Sequence, residues 1–306
     1  MSRAKFLRQT LLDVGRSVGS PAGRPEPFEW DSQGVTGSCL GHSTVLIKTS
    51  GLWVLTDPVF STRVGIGWGP FILGPKRYTG PALMPKAFPA PDLLLLSHAH
   101  FDHFDTPSLR RFSRDTPVVV PTGVADLARR LRFRHVHELA WDRSCTLETR
   151  GGRVRITAFR VAHWGARMLR DHHRSYCGYV LERDGRRVCF AGDTAYTTAF
   201  SQLPRSVGEI DLMLMPIGAY NPWIRAHCDP EQAKQMADDA GARYFVPIHH
   251  QTFKLSSEPM MEPSQRIRAA FAQEPQRLLA AHVGETFHLP EPARQLPHAT
   301  ADLNRA

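Results

Sequence analysis

The chain has 306 residues, 42% of them hydrophobic, and a formal net charge of +9 from 38 basic and 29 acidic side chains. No apolar run approaches the roughly 18 residues that cross a bilayer, and the basic N-terminus lacks both a continuous hydrophobic stretch and a small-residue cleavage site, so neither a membrane span nor a secretory signal is expected. The five cysteines (Cys39, Cys145, Cys177, Cys189, Cys228) are scattered and form no C-x-x-C pair, which argues against a disulfide framework or a thiolate metal site and for a reducing, cytoplasmic compartment. The positive balance favours anionic partners without choosing among phosphorylated substrates, nucleic acid and an acidic membrane surface; an arginine-rich composition alone would give the same value.

Residues 1–33 read as a basic arm that ends in the breaker-rich GSPAGRPEP. Its apolar positions Phe6, Leu7, Leu11, Leu12 and Val14 allow a short amphipathic helix that would touch a membrane or pack on the domain. Residues 34–290 have the pattern of one α/β domain. STVLIKT (43–49) and WVLTDP (53–58) are expected strands. From Pro58 to Pro91 comes a long loop rich in Gly and Pro, carrying Trp68 and the cations Arg63, Lys76 and Arg77. Loops of this length are commonly functional, so these four residues are candidate substrate contacts, the cations neutralising a phosphate; the alternative is that they only hold the loop over the core.

Further strands are expected at DLLLLS (92–97), PVVVP (117–121), GYVLER (178–183), RVCFAGD (187–193), DLMLMPIG (211–218) and YFVPIH (244–249). Helices are expected at 125–132, 230–241 and 263–271. The second has Asp229 to cap it, Pro230 in its first turn and Gly241 to end it. Mixed sheets covered by outer helices fit this order. Residues 291–306 read as a polar tail.

Residues 97–105, SHAHFDHFD, place three histidines and two aspartates in nine positions after the apolar run 93–96. Imidazole nitrogen and carboxylate oxygen are the preferred ligands of zinc and similar metals. His98 and His100 can converge on one ion, while Asp102 and His103 turn to a second. The rest of two coordination shells must come from elsewhere. His163 follows ITAFRVA, Asp193 ends VCFAGD and His249 ends YFVPIH. Singly, each is an ordinary strand-end polar residue. Together they suggest several strands delivering one residue each to one sheet edge.

The set SHAHFDH, VAHW, FAGDT and PIHH, preceded by LTDP, resembles the five-motif pattern of the metallo-β-lactamase superfamily, in family order over nearly all of 34–290. LGHSTVLI, LTDPVFS, GPKR, HWG, PIGAY, H-x-x-P-E and PIH–TF are similar to the branch containing N-acyl-phosphatidylethanolamine phospholipase D, with the ascorbate-phosphate lactonases more distant. The resemblance implies a four-layer αββα sandwich, of α/β class, with its site at one edge of the two sheets and two Zn²⁺ per chain, other divalent metals being compatible. Carried over by motif, His98, His100 and His163 would bind one ion, Asp102, His103 and His249 the second, and Asp193 both. Asp57 would orient a ligand imidazole from behind. A glutamate usually stands at the place of His100 in the flavodiiron branch, so an imidazole there implies hydrolytic zinc.

The implied mechanism uses a metal-bound hydroxide oriented by Asp102, because metal binding brings the pKa of water to roughly 7. There is no G-x-S-x-G, which discards a serine triad. His227, in RAHCDPEQA, is expected to position substrate or donate a proton, and His42, in LGHST, to be structural. The chain departs from the branch where His250-Gln251 replaces Trp-Gly and where Asn221 replaces the Glu of AYEP, which leaves the phospholipid open. His250 is expected to point away from the metals. The first expectation is therefore a phosphodiesterase acting on a phospholipid-like substrate, with peripheral contact to the inner membrane face. The alternative is a lactonase or carboxyl-ester hydrolase on the same metals. A nuclease ranks behind both, since no nucleic-acid module or long basic patch is present and no nucleic-acid partner is expected.

Overall fold

The computed structural model describes Asp13 and residues 15–290, apart from 69, 70, 169 and 170 and the side chains of Trp68 and Phe71. The amphipathic segment expected within 6–14 and the tail after 290 lie outside the described residues. Two sheets face each other. One has the strand order β15 (Thr286–His288), β1 (Val35–Gly41), β2 (Thr44–Thr49), β3 (Leu52–Thr56), β6 (Leu93–Leu95), β7 (Val118–Pro121), β8 (Val136–Leu139). The other runs β14 (Tyr244–Ile248), β13 (Leu212–Pro216), β12 (Arg186–Phe190), β11 (Gly178–Arg183), β10 (Gly152–Phe159), β9 (Ser144–Thr149). The helices are α1 (Thr106–Leu109), α2 (Ala125–Arg130), α3 (Leu203–Val207), α4 (Pro230–Asp239) and α5 (Glu262–Ala270).

The continuous apolar runs make sense because both faces of each central strand are covered. In β2, β3, β6 and β7 the residues Val45, Ile47, Val54, Leu93, Leu95 and Val119 meet Val154, Ile156, Tyr179, Leu181, Phe190 and Leu214 of the opposite sheet. Their alternates Leu46, Leu55, Leu94, Val118 and Val120 face outward onto Leu109, Ala125 and Ala128 of α1 and α2. On the other side Val180, Cys189, Met213, Met215 and Phe245 are covered by Ala233, Met236 and Ala237 of α4 and Ile267 of α5. This is helix on sheet on sheet on helix, the four-layer αββα sandwich that the motifs imply. At roughly 1.5–3 kcal/mol for each fully buried large aliphatic side chain, the paired cores give the strand ends a stiff base.

The start of α4 is built as expected: Asp229 accepts the amide of Gln232 at 2.9 Å while the Gln232 side chain returns to the Asp229 amide, a complete capping box. The sequence pattern misses β1, β8, β9 and β15. Three of these, β8, β9 and β15, are sheet edges, whose polar, half-exposed sides carry no apolar run. The 58–91 loop also differs from expectation, for it contains the hairpin β4 (Ile66–Trp68) and β5 (Phe71–Leu73). The glycine preceding β4, Gly65, has φ +145° and lies so close to the other strand that a Cβ would stand 2.1 Å from the Leu73 carbonyl oxygen.

The described part of the N-terminal arm packs on the domain. Gly19 donates to the Tyr78 carbonyl (2.7 Å) and Ala22 to the Val283 carbonyl (3.0 Å). The Arg16 guanidinium donates to the Lys76 and Arg77 carbonyls and lies 3.6 Å from the Tyr78 ring centre.

Candidate metal centre

Strand direction explains why the polar residues converge. β3, β6, β7 and β8 are mutually parallel, and β1 shares their direction through the antiparallel β2. In the other sheet β12, β13 and β14 are parallel, and β10 shares their direction through β11. The C-terminal ends of β1, β3, β6, β10, β12 and β14 thus feed one edge with His42, Asp57, the 97–105 loop, His163, Asp193 and His249. Tight backbone geometry accompanies this. His42, Asp57 and His249 are non-glycine residues with positive φ (57°, 31° and 59°). Gly192, at φ +63°, leaves no room for a side chain, since a Cβ would stand 2.6 Å from that of Ser97. Such conformations persist only where the surroundings hold them, and they concentrate at functional sites.

Two donor sets form. In the first, His98 Nε2 is 2.9 Å from His100 Nδ1, and His163 Nε2 is 3.3 Å from the same atom. In the second, Asp102, His103 and His249 lie together with His42, with Asp102 Oδ2 3.6 Å from His103 Nε2 and 3.5 Å from His249 Nε2. Asp193 joins them. Its Oδ2 is 3.1 Å from His103 Nε2, 3.2 Å from His249 Nε2, 3.7 Å from His163 Nε2 and 3.9 Å from His98 Nε2. All seven residues carried over by motif therefore meet in one buried site.

The far side of each imidazole is anchored. Asp57 Oδ2 accepts His103 Nδ1–H at 2.6 Å and the Ser97 hydroxyl at 2.5 Å, while its Oδ1 accepts the Ser97 amide at 2.7 Å. Because the Ser97 hydroxyl is spent on Asp57, its oxygen accepts from His98 Nδ1 (2.9 Å). His163 Nδ1–H donates to the Ala226 carbonyl (2.9 Å). Each of these three rings consequently turns its Nε2 toward the centre, the arrangement that metal-ligating histidines use.

Electrostatics follow from burial and neighbours. Burial pushes His98 and His163 well below the usual histidine range, and His100 to about 4. Burial also opposes a proton on His103, yet Asp193, Asp102 and Asp57 overcome it and hold His103 well above that range. Against burial, Asp193 and Asp102 raise His249 to about 9. The imidazoles in return, His103 foremost, keep Asp102 and Asp193 well below the usual carboxylate range although burial works the other way.

The residues fit divalent metal ions. His103 Nε2, His249 Nε2 and Asp193 Oδ1 are buried and have no hydrogen-bond partner among the described residues. Leaving such atoms unsatisfied costs roughly 1–3 kcal/mol each unless something binds them. Nitrogen and carboxylate oxygen donors of this kind suit zinc and its neighbours.

The remaining candidates divide. His227 faces the centre, its ring 5.0 Å from that of His163 and its Nδ1 3.7 Å from Asp193 Oδ2, without a hydrogen-bond partner among the described residues. Burial lowers it to about 4. The loop cations are each engaged by backbone carbonyls, as the loop-holding alternative has it. Arg77 is fully buried, donating from Nε to the Ser61 carbonyl (2.8 Å) and from Nη2 to the Val59 carbonyl beneath the Phe253 ring. Arg63 donates to the Gly74 carbonyl (2.8 Å) across the base of the hairpin, and Lys76 to the Arg16 carbonyl. A turn with many backbone carbonyls and few backbone partners consumes the cations that it carries. Trp68 lies on β4, with its side chain outside the described residues.

His42, expected to be structural, reaches the second donor set: its Nε2 is 2.9 Å from Asp102 Oδ2. Burial lowers it to about 3, so the ring is neutral. His250 does point away, its Nδ1 3.0 Å from Ser264 Oγ on α5. Asp105 takes the N-cap position of α1, where Oδ2 accepts the hydroxyls of Ser61 (2.5 Å) and Ser108. One cation near the centre went unread in the sequence. Arg167 donates from Nη1 to the Ala99 and Phe104 carbonyls (2.7 and 2.8 Å) and lies 3.9 Å from the Phe101 ring centre, bracing the loop that carries four ligands. Nothing in the local pattern HWGAR distinguishes it from a surface arginine. An open groove of ≈ 580 Å³ starts at His163 and is walled by Ile66, Trp164, Met168 and Tyr176.

A family model described as a β-lactamase superfamily domain matches residues 52–250. A protein of Mycobacterium tuberculosis, named only as uncharacterized, is 32% identical over 269 residues, which is 85% of this chain and 70% of that one. N-acyl-phosphatidylethanolamine-hydrolyzing phospholipase D 1 of Caenorhabditis elegans is 30% identical over 249 residues, 77% of this chain and 69% of that one. Among solved structures, a possible metal-dependent hydrolase from Veillonella parvula aligns over 83% of this chain and 99% of its own, with TM-score 0.65 at 17% identity, which shows a common fold.

Proposed function

The chain belongs to the β-lactamase superfamily, and from that premise we propose that it is a dinuclear zinc hydrolase of phosphodiesters, acting on an amphiphilic substrate of the N-acyl-phosphatidylethanolamine type. One observation carries the hydrolase reading: the His98/His100/His163 set and the Asp102/His103/His249 set meet on a single oxygen, Asp193 Oδ2. When bound, two such ions lower the pKa of water to roughly 7 and stabilise charge growing on phosphoryl oxygens.

The protein's own groups have separable tasks. Asp102 is the carboxylate of the set that reaches solvent, its side chain 16% exposed against 1% for Asp193 and 0% for Asp57. It is ionised and placed to accept a proton from an attacking water. His227, neutral and unpartnered at Nδ1 among the described residues, is suited to orient the substrate by a hydrogen bond rather than to store a proton. With Arg63, Lys76 and Arg77 engaged by carbonyls, no loop cation is assigned to the phosphate.

Amphiphilic chemistry is supported by the rim. Ile66, Trp164 and Met168 are exposed along the groove that leaves His163, and Trp223 and Ile224 are exposed on the turn that leads to His227. Peripheral contact with a membrane is part of the proposal; no helix among the described residues is long and apolar enough to cross one.

The test is a rate panel on the metal-loaded protein: a bis-aryl phosphodiester, N-acyl-phosphatidylethanolamine, an acyl-homoserine lactone and a β-lactam. Turnover of the two phosphodiesters, lost in Asp102→Asn and His249→Ala, is expected, with about two ions per chain by metal analysis. Turnover of the lactone alone would replace the phosphodiester reading with that of a lactonase, and less than half an ion per chain would remove the metal.

A further inference from the structure

His42 is not in the ligand set that the motifs supply, yet it touches two members of it. It sits in the turn between β1 and β2 at φ +57°, a conformation that costs a non-glycine residue of the order of 1 kcal/mol. The turn is clamped on both sides, the His42 amide donating to Thr252 Oγ1 (2.7 Å) and its carbonyl accepting the amide of His249 (2.9 Å). The imidazole is buried against His249 (ring centres 4.1 Å apart) and Phe253 (5.2 Å).

Its Nε2 lies 2.9 Å from Asp102 Oδ2, the same oxygen that stands 3.5 Å from His249 Nε2 and 3.6 Å from His103 Nε2. An ionised carboxylate oxygen can only accept, so the hydrogen is on His42 Nε2. Were Nε2 bare, two lone pairs would face each other at that distance. The ring is therefore turned to hold Asp102 rather than to compete with it.

We propose that His42 is a positioning residue for the second metal position, its Nε2–H fixing the Asp102 carboxylate and its carbonyl fixing the His249 backbone. One turn of the first sheet then sets the spacing between ligands carried by β6 and β14, strands of different sheets. Hydrogen bonds to a ligating carboxylate act in this way, and their loss typically weakens metal affinity or activity 10–100-fold. The proposal rests on the reading of the site as a metal centre.

The experiment is titration of the full-length, chelator-stripped protein with Zn²⁺ against a chromophoric chelator, with circular dichroism as the check of folding. In His42→Ala one of the two ions is expected to lose 10–100-fold in affinity while the other is unchanged. His42→Gln, whose amide N–H reaches the place of Nε2, should stay within about threefold of wild type. In an Asp102→Ala background, His42→Ala should add no further loss. Two ions bound by His42→Ala with wild-type affinity would overturn the proposal. So would a His42→Gln protein as deficient as His42→Ala, or a further loss in the Asp102→Ala background, since either would make His42 a ligand itself. If His42→Ala does not fold, His42→Gln decides alone: wild-type affinity supports positioning, and weakened affinity overturns it. A wild-type chain that binds no Zn²⁺ fails the metal reading itself, a result distinct from all of these.

Discussion

Asp57 Oδ2 and His103 Nδ1 are 2.6 Å apart, both fully buried, and the same carboxylate holds His98 through the Ser97 hydroxyl. One anion at the end of β3 thereby orients an imidazole in each donor set. Asp57→Asn keeps the shape and tolerates the positive φ, but it cannot accept all three hydrogen bonds with the strength of an anion. Both metal positions should weaken about 10–100-fold, with folding retained. Chelator competition measures this. Selective loss of only one ion would mean that the Ser97 link to His98 carries no energy.

Asp193→Asn should behave differently. Asp193 Oδ2 is the shared anion within 4 Å of His98, His103, His163 and His249, so its neutralisation removes the charge that draws the two sets together. Turnover should fall by ~10²–10³, the scale found when one preorganised charge-stabilising group is lost. Bound metal should drop to one ion per chain or fewer. A variant that keeps two ions and a tenth of its turnover would show that Asp193 does not bridge.

The contrast between these aspartates and the loop cations shows what sequence could and could not disclose. The ligands were legible because each stands next to a buried strand, and parallel strands must bring such positions to one edge. The helices at 125–132, 230–241 and 263–271 and the central strands other than β1 were legible for the related reason that double-sided burial writes apolar runs. His42 and Arg167 were not. His42 acts through a turn of unusual φ and Arg167 through carbonyls of a distant loop, and neither relationship leaves a periodic trace. The roles of Arg63, Lys76 and Arg77 stayed open between substrate contact and loop support, since a cation in a loop over a cleft reads the same whether it faces the cleft or its own backbone.

Arg77 provides a clean check between those two roles. Its buried guanidinium satisfies the Ser61 and Val59 carbonyls and sits beside Phe253. Arg77→Met fills similar volume and leaves those carbonyls unpaired, which should cost about 2–4 kcal/mol of stability. The KM for a phosphodiester should stay within about twofold, because the side chain touches no substrate. Denaturant unfolding and steady-state kinetics separate the two. A large rise in KM at unchanged stability would restore Arg77 to the substrate site.

Metal removal links stability to pH with a definite sign. In the metal-free protein His249 holds its proton up to about 9, raised by Asp193 and Asp102 against the effect of burial, and His103 is raised likewise. A histidine whose folded pKa is raised contributes stability that is complete below its ordinary value near 6.5 and is lost as pH climbs toward the folded value. The stripped protein should therefore lose Tm between pH 6.5 and 9. Ions bind the deprotonated rings, so loading expels those protons and becomes tighter over the same interval. At a hundredfold excess over Kd each ion contributes about 2.7 kcal/mol, or roughly 5 °C in a domain of this size. The gap in Tm between loaded and stripped protein should open as pH rises from 6.5 to 9. Calorimetric titration in two buffers of different ionisation enthalpy should show net proton release near pH 7. A gap that narrows over this interval, or loading that releases no protons, would show that His103 and His249 are already neutral before the metal arrives.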